Sequence, residues 1–226
     1  MPINAQADIE ITAYDWVPDI VQGLVRDLRP RWACEELGLP YRERLISSVE
    51  RPKWYQDEQP WGQVPFLQDG AITLFESTAI LIHLAERSGA LLPREGQARA
   101  DVLGWLMASA NTIEPLLFEL QAVDIFAASK EWAALRRPSL YRALARRLRP
   151  VEQRLQDREW ITDSFSIADI ALVTTLRAIA RGGQLASHAA LLDYLARAEA
   201  RPAFRNALAA QLAPFNANAQ KYADQA

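Results

Sequence analysis

The stretch from residue 63 to residue 77 predicts a strand, a tight turn, a second strand and the beginning of a helix. Short apolar runs at residues 64–67 and 71–74 flank Asp69-Gly70, a dipeptide favoured in hairpin turns because glycine tolerates a positive φ. Directly afterwards, Glu76-Ser77-Thr78 opens a segment whose apolar residues recur at helical spacing. The N-terminus of this helix is therefore expected beside the sheet.

The pair Val64-Pro65 stands at the head of the first of these strands. Proline there removes a backbone hydrogen-bond donor, which makes the bond between the two residues a candidate for a cis peptide. A cis bond turns the N–H and C=O of Val64 outward, where they are available to an extended peptide. The helix N-terminus near Ser77 suits a carboxylate, and Glu76 suits an ammonium group. A small peptide that carries both charges fits these features together.

In this order, Val64-Pro65, the hairpin, Glu76-Ser77 and the helix resemble the glutathione-binding half of the glutathione S-transferase superfamily. The resemblance implies an α/β N-terminal thioredoxin-like domain, with a cis-proline and an acidic-Ser pair for the γ-glutamyl group of glutathione. It also implies an all-α helical C-terminal domain, and the two together make the glutathione S-transferase fold. The expected domains are residues 1–90, which bind glutathione, and residues 96–226, which are helical.

The composition is that of an ordinary globular chain. The 226 residues are 50% hydrophobic, which is enough to bury a substantial core. The net charge of −3 gives no basis for non-specific attraction to nucleic acid or to an anionic membrane. The N-terminal residues lack the pattern of a signal peptide, and the single cysteine, Cys34, is expected to be a core thiol. We therefore expect a cytoplasmic protein.

The other N-terminal elements follow a β-α-β order. Residues 9–13 alternate apolar and other side chains and predict the first strand, and residues 41–46 predict the second. Between them, helical signals run from about residue 21 to residue 37. Pro30 interrupts this segment, so we expect either a short helix that starts near Arg29 or a kink.

No strand pattern returns in the second half of the chain. A long helix from Ala98 is expected to kink at Pro115, and another helix is expected from Ser139. Ser166 and Asp169 have the spacing of a capping box, which predicts where a further helix begins. This box is similar to one found early in a core helix of the transferase helical domain. The resemblance thus has landmarks in the expected order in both domains.

The nucleophile in this superfamily is the glutathione thiolate. A thiol with a pKa of about 8.5 is mostly protonated at pH 7, so the enzyme must stabilise the anion. A Tyr, Ser or Cys after the first strand stabilises that anion in the family. Here the place where Ser or Cys families carry this residue holds Leu24-Val25-Arg26. The catalytic candidates are therefore the Tyr14 phenol, the Trp16 indole N–H and Arg26. The alternative is that Tyr14 and Trp16 only form a wall of the site.

For the γ-glutamyl end of glutathione, the resemblance implies contacts from Glu76 and Ser77. The backbone of Val64, shaped by Pro65, is expected to hold the middle of the tripeptide. The alternative role for Glu76 and Ser77 is helix capping alone.

For the glycyl carboxylate of glutathione, Gln63 is expected to act with Lys53 or Gln59. The alternative for all three side chains is simple exposure to solvent. Trp105 and Asn111 are candidates for contact with the second substrate, which we expect to settle against the helical domain.

The resemblance thus implies a glutathione transferase with glutathione as co-substrate. The thiolate of bound glutathione is expected to attack a small hydrophobic electrophile, which is the chemistry of detoxification. Related thiol exchange or peroxide reduction stays open. No metal is expected, since His83 and His188 are far apart in sequence. The resemblance implies a homodimer, and from its net charge we expect the protein to bind neither nucleic acid nor membrane. The alternative is a non-catalytic binding or regulatory protein that kept the fold, a reading favoured by the missing Ser or Cys.

Overall fold

The computed structural model describes residues 2–225. The first part of the chain forms a four-stranded mixed sheet with helices around it. The strand order is β2-β1-β3-β4, with β1 parallel to β2 and antiparallel to β3. This arrangement confirms the predicted α/β half of the glutathione S-transferase fold. Its elements are β1 Ile9–Tyr14, α1 Leu28–Leu37, β2 Tyr41–Ile46, α2 Tyr55–Glu58, β3 Phe66–Asp69, β4 Ile72–Phe75 and α3 Ser77–Ser88.

The β3–β4 hairpin forms where the turn chemistry predicts it. Asp69 pairs with Ile72 across the turn, and Gly70 adopts a φ of 59°, a conformation that costs glycine little. Helix α3 begins two residues after β4 ends. The predicted sequence of strand, turn, strand and helix is confirmed.

Helix α1 begins at Leu28, so Pro30 lies in its first turn. Proline is tolerated there because the first backbone N–H groups of a helix have no partner within the helix. Of the two alternatives for this segment, the short helix is correct. The residues before it, 15–27, form a loop that contains only a short 3-10 turn at Asp19–Val21.

The second half is helical throughout, as predicted. Two boundaries differ from expectation: a π-helical segment at Ser109–Ile113 divides the first long helix ahead of Pro115, which then falls in the first turn of α5. Helix α6 begins at Glu131 rather than Ser139, because it accommodates Pro138 within its length. The elements are α4 Gly96–Ala108, α5 Glu114–Gln121, α6 Glu131–Leu155, α7 Ile167–Arg181, α8 Ala189–Glu199 and α9 Pro202–Asn218.

The predicted capping box begins α7. The Ser166 side chain accepts a hydrogen bond from the N–H of Ala168. The Asp169 carboxylate accepts from the Ser166 N–H at 2.9 Å, and also from the Ile161 N–H at 2.9 Å and the Tyr194 hydroxyl at 2.7 Å. The carboxylate is fully buried, and it joins three segments of the helical half.

The chain divides into two compact units. The first unit contains the sheet and runs to Ala90. It also includes the segment from Glu199 onward, because α9 packs against α1. The second extends from Leu91 to Ala198. Over residues 2–225, none of the helices combines the length and the apolar character that crossing a membrane requires.

Candidate functional site

Two side chains from the preceding segment hold Gln63, the residue directly before the Val64-Pro65 turn. The bond between Val64 and Pro65 is cis, as the sequence suggests. The Tyr55 hydroxyl donates to the Gln63 carbonyl at 2.8 Å. The Gln59 side-chain oxygen accepts from the Gln63 N–H at 3.0 Å. Within residues 2–225, the backbone N–H and C=O of Val64 make no hydrogen bond to another residue, so the described residues leave both groups unpaired.

The N-terminus of α3 combines a strained residue with a buried hydroxyl. Glu76 has a φ of 70°, a region that residues with a side chain enter at a cost of order 1–3 kcal/mol and that is enriched at binding sites. Its side chain is exposed, while Ser77 is buried. The Arg29 guanidinium, also buried, donates to the Ser77 hydroxyl oxygen at 3.0 Å. The Ser77 O–H therefore remains able to donate to a ligand.

Tyr14 lies at the end of β1, beside the Val64 turn. Its half-buried ring packs against the cluster formed by Ile46, Tyr55, Val64 and Phe66. Burial raises the pKa of Tyr14, and although the Arg51 guanidinium opposes this, the pKa stays above its ordinary value. The phenol is therefore neutral at pH 7 and is a hydrogen-bond donor.

The structure adds Arg51, which the sequence did not single out. Its Cζ atom lies 5.7 Å from the centroid of the Tyr14 ring. Its Nη1 atom donates to the Gly62 carbonyl at 3.1 Å. Arg51 therefore links the end of β1 to the segment that leads into the Val64 turn. No local pattern marks this residue, because it stands in a polar loop after β2.

The other two catalytic candidates also belong to the first unit, and Tyr14 packs against the cluster that contains Trp16. Trp16 is buried and stacks on Tyr222, with ring centroids 5.0 Å apart and planes 17° from parallel. Its indole belongs to a core cluster with Phe215. Arg26 lies in the turn before α1 and is half-buried. The catalytic role of each remains a prediction.

The turn before α1 nevertheless reaches the same region as Tyr14. Val25, in the middle of the three residues at the expected catalytic place, packs against the cluster that contains Val64. Its carbonyl accepts from the Gln211 amide at 3.0 Å. The same amide donates to the buried carboxylate of Asp27 at 2.6 Å. A residue on α9 thus holds the start of α1, a connection that sequence reasoning missed.

Three side chains were predicted to meet the glycyl carboxylate, and they differ in exposure. Gln63 and Lys53 are exposed, as a ligand contact or a solvated side chain requires. Gln59 is buried, and its side-chain oxygen accepts from the backbone of both Trp61 and Gln63. The structure therefore gives Gln59 a part in shaping the loop, and its contact with a ligand remains a prediction.

The predicted second-substrate residues belong to the helical unit. The half-buried ring of Trp105 lies under Arg154, whose Cζ atom is 5.6 Å from the ring centroid. Asn111 is exposed within the π-helical segment Ser109–Ile113. The role of both remains a prediction. Among the described residues, no three His, Cys, Asp or Glu side chains come together in a group that suits a metal ion.

Comparison with known proteins agrees with this fold. The family model described as "Glutathione S-transferase, N-terminal domain" matches residues 28–92. A glutathione S-transferase of Claviceps purpurea is 33% identical over 97 residues, which are 37% of this chain and 39% of that protein. The disulfide-bond oxidoreductase YfcG of Escherichia coli is 34% identical over 140 residues, which are 61% of this chain and 64% of that protein. The matches thus span less than two thirds of either relative.

The likeness in structure extends over nearly the whole chain. A glutathione transferase family member from Pseudomonas fluorescens Pf-5, solved with two glutathione bound, superposes with a TM-score of 0.79 at 26% identity. The superposition covers 90% of this chain and 94% of that one. The fold, the Val64-Pro65 turn, the start of α3 and these matches all support the glutathione S-transferase superfamily, whose fold this chain shares and whose N-terminal domain model matches residues 28–92.

Proposed function

We propose that this protein binds glutathione in its first unit and activates the thiol of that tripeptide for attack on a second substrate. The observation that carries the proposal is the contact of Tyr14 with the cluster containing Val64, whose backbone N–H and C=O have no hydrogen-bond partner within residues 2–225. A phenol donor and an open peptide-binding edge thus meet at one place. The solved relative from Pseudomonas fluorescens, which holds glutathione, supports the choice of ligand.

In this proposal, the backbone of Val64 holds the cysteinyl part of glutathione as a neighbouring strand would. The γ-glutamyl group meets the N-terminus of α3, where Glu76 takes its ammonium group. The Ser77 O–H and the unpaired N–H groups of the helix take its carboxylate. Gln63 and Lys53, both exposed, take the glycyl carboxylate.

The proposed chemistry begins with loss of the thiol proton to solvent. Lowering the thiol pKa by two units requires about 2.7 kcal/mol of preferential stabilisation of the anion, which a hydroxyl donor and a nearby positive charge supply. The thiolate then attacks an electrophilic carbon and displaces its leaving group, or attacks a disulfide and displaces a thiolate. The E. coli relative that is named for disulfide-bond oxidation and reduction keeps the second reaction within the proposal.

The proposal extends to the helical unit and to assembly. Trp105 and Asn111 are proposed to contact a small hydrophobic electrophile, whose consumption is the chemistry of detoxification. Two copies are proposed to form a homodimer, which sedimentation equilibrium tests. A cytoplasmic location is also part of the proposal.

A non-catalytic glutathione-binding protein is the second candidate. The observation in its favour is the turn before α1, where Leu24, Val25, Arg26 and Asp27 offer neither a hydroxyl nor a thiol. In that case the Val64 turn and α3 still bind the tripeptide, but the thiol pKa stays near that of free glutathione.

Binding and turnover separate the two candidates. We expect the protein to be retained on immobilised glutathione and to convert either a generic aromatic halide or a mixed disulfide of glutathione. Glu76→Gln should weaken binding at least tenfold, whereas Glu86→Gln, an exposed substitution on the same helix, should leave it unchanged. Retention without turnover of either substrate supports the binder. Failure of the unaltered protein to bind glutathione contradicts both.

A further inference from the structure

The Arg51 guanidinium occupies a distinctive position in the first unit. It donates to the Gly62 carbonyl at 3.1 Å and lies over the Tyr14 ring at 5.7 Å. The side chain is exposed, so neither contact exists merely to satisfy a buried charge. Gly62 is two residues before Val64. The guanidinium therefore lies next to both the phenol and the start of the open backbone edge.

Arg51 also carries a charge that the protein itself does not neutralise. Among residues 2–225, no carboxylate is within ion-pair distance of it. Several other arginines of the first unit are paired: Arg44 with Glu10 and Glu58, Arg31 with Asp27 and Glu43, and Arg201 with Glu36. A guanidinium has five N–H donors in a planar fork, and one hydrogen bond to Gly62 leaves donors for an anion.

The positive charge of Arg51 acts on the pKa of Tyr14. The nearby guanidinium opposes the rise in the pKa of Tyr14 that burial causes, and the Asp27 carboxylate adds to that rise. An anion that accepts a hydrogen bond from the Tyr14 phenol therefore lies in the field of Arg51. Among the residues described around Tyr14, Arg51 is the cation that acts on its ring.

We propose that Arg51 is a catalytic residue that stabilises the thiolate of bound glutathione through its positive charge, together with the Tyr14 phenol. This inference rests on the proposed function of the site. The thiol proton goes to solvent, Arg51 keeps its own protons throughout, and the guanidinium offsets the negative charge that remains on sulfur. Arg51 and Tyr14 together then stabilise the thiolate. The turn before α1 cannot do so, because it offers neither a hydroxyl nor a thiol.

The competing role for Arg51 is binding of a glutathione carboxylate. The two roles predict different results with S-methylglutathione, which keeps both carboxylates and has no thiol to ionise. A carboxylate ligand contributes to binding of this analogue, whereas a thiolate-stabilising group does not. The comparison therefore separates the two roles without reference to turnover.

The experiment measures the thiol pKa of bound glutathione from the ultraviolet absorbance of its thiolate as a function of pH. We expect Arg51→Gln to raise that pKa by about one unit, as removal of a neighbouring opposite charge does, and to lower the thiolate fraction about tenfold at pH values below it. Arg51→Lys, which keeps the charge but loses the planar fork, should restore part of the shift. The affinity for S-methylglutathione should stay within twofold in both variants.

Arg205→Gln is the matched control, because it removes one exposed positive charge from α9 in the same unit. It should leave the thiol pKa unchanged. An unchanged thiol pKa in Arg51→Gln overturns the inference, as does a tenfold loss of S-methylglutathione affinity, and either result leaves the proposed function intact. Failure of the unaltered protein to bind either peptide overturns both.

Discussion

At the scale of single residues, environment rather than residue type decides what Tyr14 can do. A tyrosine at the end of a strand is often only a packing residue, and the ring of Tyr14 does pack on the cluster that contains Val64. Burial and the Asp27 carboxylate raise its pKa and Arg51 opposes them, so the phenol keeps its proton in the physiological range. A protonated phenol in this position can donate to a thiolate and is not itself a competing anion.

We expect Tyr14→Phe to raise the thiol pKa of bound glutathione by about one to two units, because it removes a hydrogen bond to the charged form of sulfur. The ring and its packing are retained, so folding should be little affected. The thiolate absorbance of the complex, recorded against pH, gives the value directly. Tyr141→Phe in the helical unit is the matched control. An unaltered thiol pKa eliminates Tyr14 as the activating residue.

At the scale of secondary-structure elements, α9 determines how α1 begins. The Gln211 amide donates to the Val25 carbonyl at 3.0 Å and to the Asp27 carboxylate at 2.6 Å. Arg31 donates to the other oxygen of Asp27 at 2.7 Å. Burial raises the pKa of this Asp27 carboxyl above its ordinary value, although Arg31 and Gln211 oppose the rise. The C-terminal helix is thus part of the framework of the candidate site.

Gln211→Ala should lower the free energy of unfolding by roughly 1 to 3 kcal/mol, because it leaves a buried oxygen of the Asp27 carboxylate without its donor. The Val25 carbonyl loses one of its two donors and keeps the Leu28 N–H. Urea unfolding followed by tryptophan fluorescence measures the change. Gln220→Ala, an exposed substitution near the same end of the chain, should change it by less than about 0.5 kcal/mol. Equal effects of the two substitutions would contradict the structural role assigned to Gln211.

The β3–β4 hairpin is tied to α3 by one carboxylate. Asp69 accepts from His83 at 2.8 Å and also from Arg87. Burial alone would raise the pKa of Asp69, but the hydrogen bonds from Arg87 and His83 outweigh it and lower the pKa below its ordinary value. A carboxyl group whose pKa is lower in the folded state stabilises the fold when it is ionised.

The stability difference between the unaltered protein and Asp69→Asn should therefore depend on pH. At pH 7 we expect the variant to be less stable by about 1 kcal/mol. The difference should be present above the unfolded pKa of about 3.9 and disappear as the pH falls through the lower folded-state value. Asp163→Asn, which removes a highly exposed carboxylate paired with Arg158, is the control. A pH-independent difference for Asp69→Asn refutes this account.

At the scale of the whole molecule, the first unit is built from two distant parts of the chain. Arg201 donates to both carboxylate oxygens of Glu36, at 2.6 and 2.7 Å. The Tyr222 hydroxyl donates to the Asp15 carboxylate at 2.8 Å. These contacts bring the last residues described back to the sheet and α1. The unit containing the candidate site is therefore complete only when the C-terminal segment has folded onto it.

The single thiol of the chain reports on that assembly. Cys34 is fully buried in α1, which packs against both α3 and α9, and burial raises the pKa of its thiol far above the ordinary value. We expect the native protein to resist a thiol-specific reagent and to react with one equivalent once it is unfolded. The reaction rate, followed at increasing denaturant concentration, should rise with opening of the first unit. Rapid stoichiometric reaction of the native protein would contradict this burial.

Several features could be predicted because they depend on neighbouring residues. The hairpin turn follows from Asp69-Gly70, and the start of α7 follows from Ser166 and Asp169, whose hydrogen bonds span three residues. By contrast, the predicted start of α6 at Ser139 is wrong. The helix begins at Glu131 and contains Pro138 within its length. Tertiary contacts here override the local cost of proline.

By itself, the sequence determined the order of strands and helices, the Val64-Pro65 turn and the resemblance to the superfamily, because turns, caps and periodic apolar faces are set by a few adjacent residues. Only the tertiary structure decided which side chains surround the turn. Arg29 reaches Ser77 across 48 positions and Gln211 reaches Asp27 across 184, and Arg51 lies over Tyr14. Contacts between side chains so far apart depend on how whole elements pack, and local sequence carries no record of that geometry.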